Sequence, residues 1–215
     1  VESVKKFIEY LSKMGYNALM LYTEDTWEVE NEPYFGYLRG RYTQAELREI
    51  DAFAKSKGIE LIPCIQTLAH LNAIFRWWEY QGIRDTDDIL LIDDERTYAL
   101  IENMFATIKK TFSTDLVHIG MDEAHLIGRG KYADINGMRP KFDVMTEHLD
   151  RVCKIAEKYG LKTVMWSDMF LRICNNGDYA SKNPIPEEVA KKIPSNVKLV
   201  YWDYYHTEEQ IYRDM

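Results

Sequence analysis

Apolar residues recur along this chain in two alternating periods, one helical and one strand-like. Val4, Phe7, Ile8, Leu11 and Met14 share one helical face, and Gly15 follows as a natural stop. Next, Asn17 to Tyr22 forms a short apolar run that ends in Thr23-Glu24-Asp25. Thr43 and Glu46 have capping-box spacing and open a helix through Leu47, Ile50, Phe53 and Ala54 that stops at Gly58. Ile59 to Ile65 then reads as a second strand leading to Gln66 and His70. A helix from about Glu95 to Phe112 leads into Leu116-Val117-His118-Ile119-Gly120-Met121-Asp122-Glu123, an apolar run ending in two adjacent carboxylates. A helix from about Asp143 to Tyr159 stops at Gly160, and Leu161 to Trp166 runs on to Ser167-Asp168. Val197 to Trp202 ends in Asp203-Tyr204, and another helix begins at Thr207.

This repeated helix–strand unit predicts five strands, each nearly all apolar, as in a parallel sheet covered by helices. Every strand delivers reactive or aromatic side chains at its C-terminal end: Glu24 and Asp25, His70, Asp122 and Glu123, Trp166 and Asp168, then Trp202, Asp203 and Tyr204. In an α/β (β/α)8 TIM barrel those ends converge on one face, where active sites are built. A doubly wound open sheet shares the alternation, but no GxGxxG or P-loop marks a switch point. The expectation is one partial barrel domain over residues 1–215, lacking about the first strand and the last two. The long loop from Thr26 to Tyr42, with Trp27, Tyr34, Phe35 and Tyr37, is either a ligand rim or a self-packed surface loop.

Composition narrows the function. The 215 residues are 46% hydrophobic, enough for a substantial core. Lys and Arg number 27 against 35 Asp and Glu, and no basic cluster offers a nucleic-acid footprint. No apolar run approaches the length of a membrane span, so neither nucleic acid nor membrane is expected as a partner. Cys64, Cys153 and Cys174 are odd in number and widely spaced, which favours a reducing, cytoplasmic setting over a disulfide scaffold. Val1 is not an initiator methionine, and the true N-terminus is expected upstream.

Asp122 and Glu123 carry the chemistry. Two neighbouring acids in a partly dry site push one toward its protonated form, which is a way to hold a general acid at neutral pH. The plainer reading is an acidic pair opening the next helix. The repetition of reactive groups at the other strand ends favours catalysis. With Trp166, Trp202 and Tyr204 as walls, glycoside hydrolysis is the leading reaction class. Adjacent residues on a strand point to opposite faces, so they fit poorly as an acid and nucleophile on either side of one bond. They suit a division in which Glu123 protonates the leaving group. Asp122 then holds a 2-acetamido group whose carbonyl oxygen attacks the anomeric carbon.

His118-Ile119-Gly120-Met121-Asp122-Glu123 resembles the H-x-G-x-D-E signature of the family 20 glycoside hydrolases, the β-N-acetylhexosaminidases. Tyr22-Thr23-Glu24-Asp25 and the segment from Pro63 to Ala69-His70 are similar to that family's acidic second-strand end and its third-strand segment. The resemblance implies an exo-acting retaining enzyme acting on terminal β-linked GlcNAc or GalNAc, with no cofactor and no metal. It implies that Asp122 orients the acetamido nitrogen and that Glu123 is acid and then base. It further implies that His70 and Asp25 form a supporting dyad that tunes Glu123, with His118 packed behind. Trp166 and Trp202 become walls of the acetamido pocket. Tyr204 and Asp168 are candidate sugar contacts, and Asp168 is equally placed to cap the next helix. Two alternatives stay open: a metal-dependent barrel isomerase or hydrolase using Asp25, His70, Glu123 and Asp168, and a non-catalytic sugar-binding barrel.

Overall fold

In a computed structural model of the chain, which describes residues 1–175, 177, 179 and 185–214, the strands form one parallel sheet. They are β1 (Ala18–Glu24), β2 (Glu60–Ile65), β3 (Leu116–His118), β4 (Lys162–Trp166) and β5 (Val197–Val200). Their spatial order follows the chain, β1-β2-β3-β4-β5, with every pair parallel. A doubly wound sheet reverses direction at a switch point, and this one never does. The result is an arc of a (β/α)8 barrel built from consecutive units.

The principal helices are α1 (Glu2–Lys13), α2 (Gln44–Ser56), α4 (Glu95–Thr111) and α6 (Lys141–Lys158). Between them lie shorter pieces that periodicity did not predict: a 3-10 turn Ile74–Arg76, α3 (Trp78–Gln81), α5 (Lys131–Asn136), α7 (Asp168–Cys174) and α8 (Glu187–Ala190). A last helix, α9, runs Glu209–Asp214. The predicted capping box forms at α2: the Thr43 hydroxyl accepts from the Glu46 N–H, and the Glu46 carboxylate accepts from the Thr43 N–H. Leu47, Ile50, Leu100, Ile101, Phe105, Val117, Val152 and Met165 meet in the core between helices and sheet. Burying each such side chain contributes roughly 1.5–3 kcal/mol. The apolar stripe of α1 is broader than the face it buries: Ile8 is in the core, while Phe7 and Met14 stay exposed.

The loop after β1 is anchored from beneath. Trp27 and Phe35 are buried, with Trp27 meeting Phe35 edge-on at 6.0 Å and Phe35 meeting Tyr80 at 6.5 Å. At its centre the Glu32 carboxylate is buried, accepting two hydrogen bonds from Arg96 (2.8 and 2.6 Å), one from Asn103 (2.9 Å) and one from Tyr80 (3.0 Å). A buried carboxylate stripped of its cation is far more costly than an exposed one. Because Arg96 is partly exposed and Glu32 keeps its bonds from Asn103 and Tyr80, Arg96→Met in the full-length protein is expected to lower stability by about 1–2 kcal/mol, read as a fall in urea midpoint. An unchanged midpoint would show that Glu32 does not depend on Arg96.

Candidate active site

The C-terminal ends of the strands enclose a cavity of about 510 Å³, lined by Tyr22, Glu24, His70, Asp122, Glu123 and Trp166, with Trp202, Tyr204, Met20, Cys64 and Tyr205 completing the wall. The regular strand β3 ends at His118, four residues before Asp122, although Ile119 N–H still donates to the Val164 carbonyl at 2.8 Å and the Gly120 carbonyl accepts from Trp166 N–H at 3.3 Å. Gly120, Met121 and Glu123 then adopt left-handed backbone with φ of 71°, 68° and 55°. The expected strand alternation therefore does not hold here. The turn brings donor atoms of Asp122, Glu123 and His70 within 4.8 Å of one another. His70 and Glu24 are left-handed as well, at φ of 58° and 46°. Such backbone in residues other than glycine costs of order 1–3 kcal/mol each and concentrates at functional sites.

Asp122 is held at both oxygens. His70 Nε2 lies 3.1 Å from Oδ2, and Gln66 Nε2 donates to Oδ1 at 2.8 Å. Burial alone would raise this carboxyl, but the bonds from His70 and Gln66 outweigh it and hold Asp122 below its ordinary value. The expectation that one of the paired acids is driven toward its neutral form is thus not met at Asp122. The same bond raises His70 above 6.5 against the opposing effect of its burial. Glu123 is more open to the cavity, with His70 Nε2 at 3.7 Å from its Oε2.

The predicted pairing of Asp25 with His70 does not form. The β1 register slips between Tyr22 and Glu24, so Glu24 faces the cavity and Asp25 turns under the following loop. There the buried Asp25 carboxylate takes a hydrogen bond from Arg39 Nε at 3.3 Å. His118 lies behind Trp166 rather than behind His70, its ring centroid 4.2 Å from the indole's. Burial pushes His118 down to about 4, and as a neutral ring its Nδ1 accepts from the Gly120 N–H at 3.1 Å.

Asp168 makes no wall of the cavity, which corrects the sugar-contact reading. It is fully buried (0% exposed), and its Oδ2 accepts the Glu123 backbone N–H at 3.0 Å. Its place at the first turn of α7, just after Ser167, aims it inward. Burial raises its carboxyl in spite of that hydrogen bond. Trp166, Trp202 and Tyr204 do line the cavity, with Trp202 and Tyr204 rings 5.6 Å apart. The rim reading of residues 26–42 gives way to packing: none of them lines the cavity, and Tyr34 and Tyr37 stack instead on Trp77.

Gln66 is the residue that sequence reasoning missed. It follows an apolar strand and looks like the start of a loop, yet it is fully buried against Asp122. The alternative metal set does not assemble as expected, because Asp25 and Asp168 point away. The donors that do converge are His70, Asp122 and Glu123. Each Asp122 oxygen already accepts one hydrogen bond, from Gln66 at Oδ1 and from His70 at Oδ2, and a cation taking His70 Nε2 as a ligand would compete with the second of these.

Carboxylates beside indole walls at a barrel mouth point to a glycoside hydrolase, and comparison with known proteins supplies the family. The pattern of glycosyl hydrolase family 20, catalytic domain, matches residues 1–213, and the chain belongs to that family. Hexosaminidase D of Bos taurus is 24% identical over 207 residues, covering 89% of this chain and 55% of that relative. The chain spans about half the length, or less, of the curated relatives it matches. The fold is shared with the GH20 exo β-N-acetylglucosaminidase of Vibrio harveyi in complex with N-acetylglucosamine (TM-score 0.72, 17% identity, 94% of this chain and 36% of that one). It is shared also with the N-acetyl-β-hexosaminidase of Streptomyces plicatus in complex with Thio-NAglucal (TM-score 0.71, 20% identity, 99% and 41%).

The histidines report directly on this geometry. In a proton NMR titration of the full-length protein, His70 should titrate above 6.5, while His118 and the buried His148 titrate near 4. The sign follows from partners: the His70–Asp122 pair is intact below pH 6.5 and fades as pH rises through the raised value. Asp122→Asn should bring His70 back toward 6.5. A His70 midpoint below 6.5 in the parent would contradict the pair.

Proposed function

We propose that the full-length protein removes terminal β-linked N-acetylhexosamine from a carbohydrate by substrate-assisted hydrolysis with retention. The observation that carries this reading is the contrast within one cavity: Asp122 is fixed at both oxygens and held ionised, while neighbouring Glu123 is left open to the substrate. An anchored anion suits the acetamido N–H, and an open carboxyl suits the leaving oxygen.

In the first step the acetamido carbonyl oxygen attacks the anomeric carbon as the glycosidic bond breaks. Glu123 delivers its proton to the departing oxygen, and the sugar becomes an oxazolinium ion. Asp122, accepting the acetamido N–H, sits against the positive charge that develops there. Its ionisation in advance means no reorganisation is needed as the charge appears. Glu123, now a carboxylate, takes a proton from water, whose oxygen attacks the anomeric carbon from the face the leaving group vacated. The ring of the oxazolinium opens and the acetamido group is restored. Trp166 and Trp202 wall the cavity and exclude bulk water from the ion. Asp168 acts at one remove, fixing the Glu123 backbone N–H. The relatives named above are hexosaminidases, one of them bound to N-acetylglucosamine, and this supports N-acetylglucosamine as a substrate sugar. The unpaired thiols of Cys64, Cys153 and Cys174 suit a reducing, cytoplasmic setting.

The convergence of His70, Asp122 and Glu123 favours a second reading, a divalent-metal hydrolase. Substitution and chelation separate the two. Glu123→Gln in the full-length protein should lower kcat on an aryl N-acetyl-β-hexosaminide by about 10²–10⁴, most for poor leaving groups, with KM little changed. Asp122→Asn should lower it by about 10²–10³. EDTA should leave the parent rate unchanged. Parent-like activity in Glu123→Gln sinks the acid assignment, and a rate abolished by EDTA and restored by Zn²⁺ or Mn²⁺ moves the site to the metal reading.

A further inference from the structure

We infer that Gln66 is a positioning residue for the acetamido chemistry, a neutral clamp that fixes both the aim and the ionisation of Asp122 and sets how far into acid the enzyme stays active. The inference rests on the substrate-assisted reading of this pocket.

The Gln66 carboxamide is fully buried and its polar atoms are committed. Its two Nε2 hydrogens go to Asp122 Oδ1 at 2.8 Å and to the Tyr22 hydroxyl at 3.2 Å. Its Oε1 accepts the Met121 N–H at 3.2 Å. This set fixes the amide's orientation. Turned over, Oε1 would face the Asp122 carboxylate and the NH₂ group would face the Met121 N–H, two repulsive contacts in place of two bonds. One side chain from the end of β2 thus holds the left-handed turn after β3 through its oxygen and the acid on that turn through its nitrogen. Gly120 is shaped to it: a Cβ there would sit 2.1 Å from Gln66 Oε1. Next door the Thr67 hydroxyl donates to the Ile119 carbonyl at 2.8 Å, so the two segments are laced twice.

The clamp extends across the cavity floor. Tyr22, accepting from Gln66, donates in turn to Glu24 Oε1 at 3.0 Å. A run of hydrogen bonds therefore links the acid on the β1 side of the cavity to the one assigned to the acetamido group. Each Asp122 oxygen makes one of these bonds and keeps lone-pair capacity for a substrate N–H. Other groups also face Asp122. His70 pairs with Oδ2, and Glu123 lies beside it. Tyr22 and Cys64 come from β1 and β2, His118 from β3, and Asp168 from α7. Glu123 and Asp168 are acids that oppose its ionisation. Among the donors that favour it, His70 titrates and Gln66 does not.

Gln66→Glu is the sharpest test, because it keeps the shape and replaces a donor with an acid. Two carboxyls at that separation share one proton, and the pair takes it up at higher pH than Asp122 alone. In the full-length variant the acid limb of kcat/KM on an aryl N-acetyl-β-hexosaminide should move up by about one pH unit or more. The rate at neutral pH should fall about 100-fold, a loss of the size seen when one aimed hydrogen bond leaves a reacting centre. Gln66→Met, similar in volume and without a donor, should shift the limb in the same direction by less, and it covers the case in which the acid variant does not fold. Thermal melts of each variant accompany the rates. A lower melting temperature with an acid limb unmoved in every folded variant would make Gln66 merely structural and overturn the inference. The parent is first compared on the acetamido sugar and the plain β-hexoside. Absence of preference there contradicts the substrate-assisted reading itself. Preference in the parent with an unmoved limb in the variants contradicts only the role given to Gln66.

Discussion

Asp122 and Glu123 reach one cavity because the chain leaves β3 at His118 and turns through left-handed backbone at Gly120, Met121 and Glu123. An extended strand would have sent the two carboxylates to opposite faces. The turn is costly where a side chain is present, and the surroundings offset that cost. Gln66 takes the Met121 N–H, Asp168 takes the Glu123 N–H, and Thr67 holds the Ile119 carbonyl. The absence of a side chain at Gly120 lets Gln66 approach. The placement of the two carboxylates thus rests on buried polar residues that do not themselves line the cavity but hold from behind the turn that carries the two acids, a feature that makes the site depend on the packing beneath it.

Electrostatics follows from this arrangement. Asp122, with a donor at each oxygen, stays ionised in spite of burial, and His70 is raised by the same bond. Asp168, deeper in the fold, is raised instead by its burial. His118, stacked behind Trp166, is kept neutral. Acids and histidines of one small region are thereby separated in behaviour by their immediate partners, the pattern that distinguishes working groups from supporting ones.

Much of the fold was legible because helix and strand periods alternate cleanly along the chain. The capping box at Thr43 and Glu46, the apolar strands and the sequential parallel order follow from local pattern and short connections. The gathering of His70, Asp122, Glu123, Trp166, Trp202 and Tyr204 at one cavity was legible too, since every barrel strand points its C-terminal end the same way. What the sequence hid were partners set by backbone irregularity. The bulge near Glu24 sends Asp25 to Arg39 instead of His70, and no residue pattern announces a register slip. Asp168 looked as suited to a sugar as to a helix cap, and it does neither in the structure: Ser167 is the N-cap of α7, and the buried Asp168 carboxylate accepts the Glu123 N–H instead. Gln66 carried no signal at all, because a lone amide after a strand is ordinarily a loop residue.

The central claim is that the substrate's own acetamido oxygen is the nucleophile, with Asp122 steering it. The most direct measurement is kcat/KM of the full-length protein across aryl β-glycosides bearing acetyl, fluoroacetyl, difluoroacetyl and trifluoroacetyl groups on the 2-nitrogen. Each fluorine weakens the carbonyl oxygen as a nucleophile while adding little bulk. A steep, monotonic fall in rate along the series is the predicted result. A flat series would mean that another group attacks the anomeric carbon, and the account given for Asp122 would be wrong.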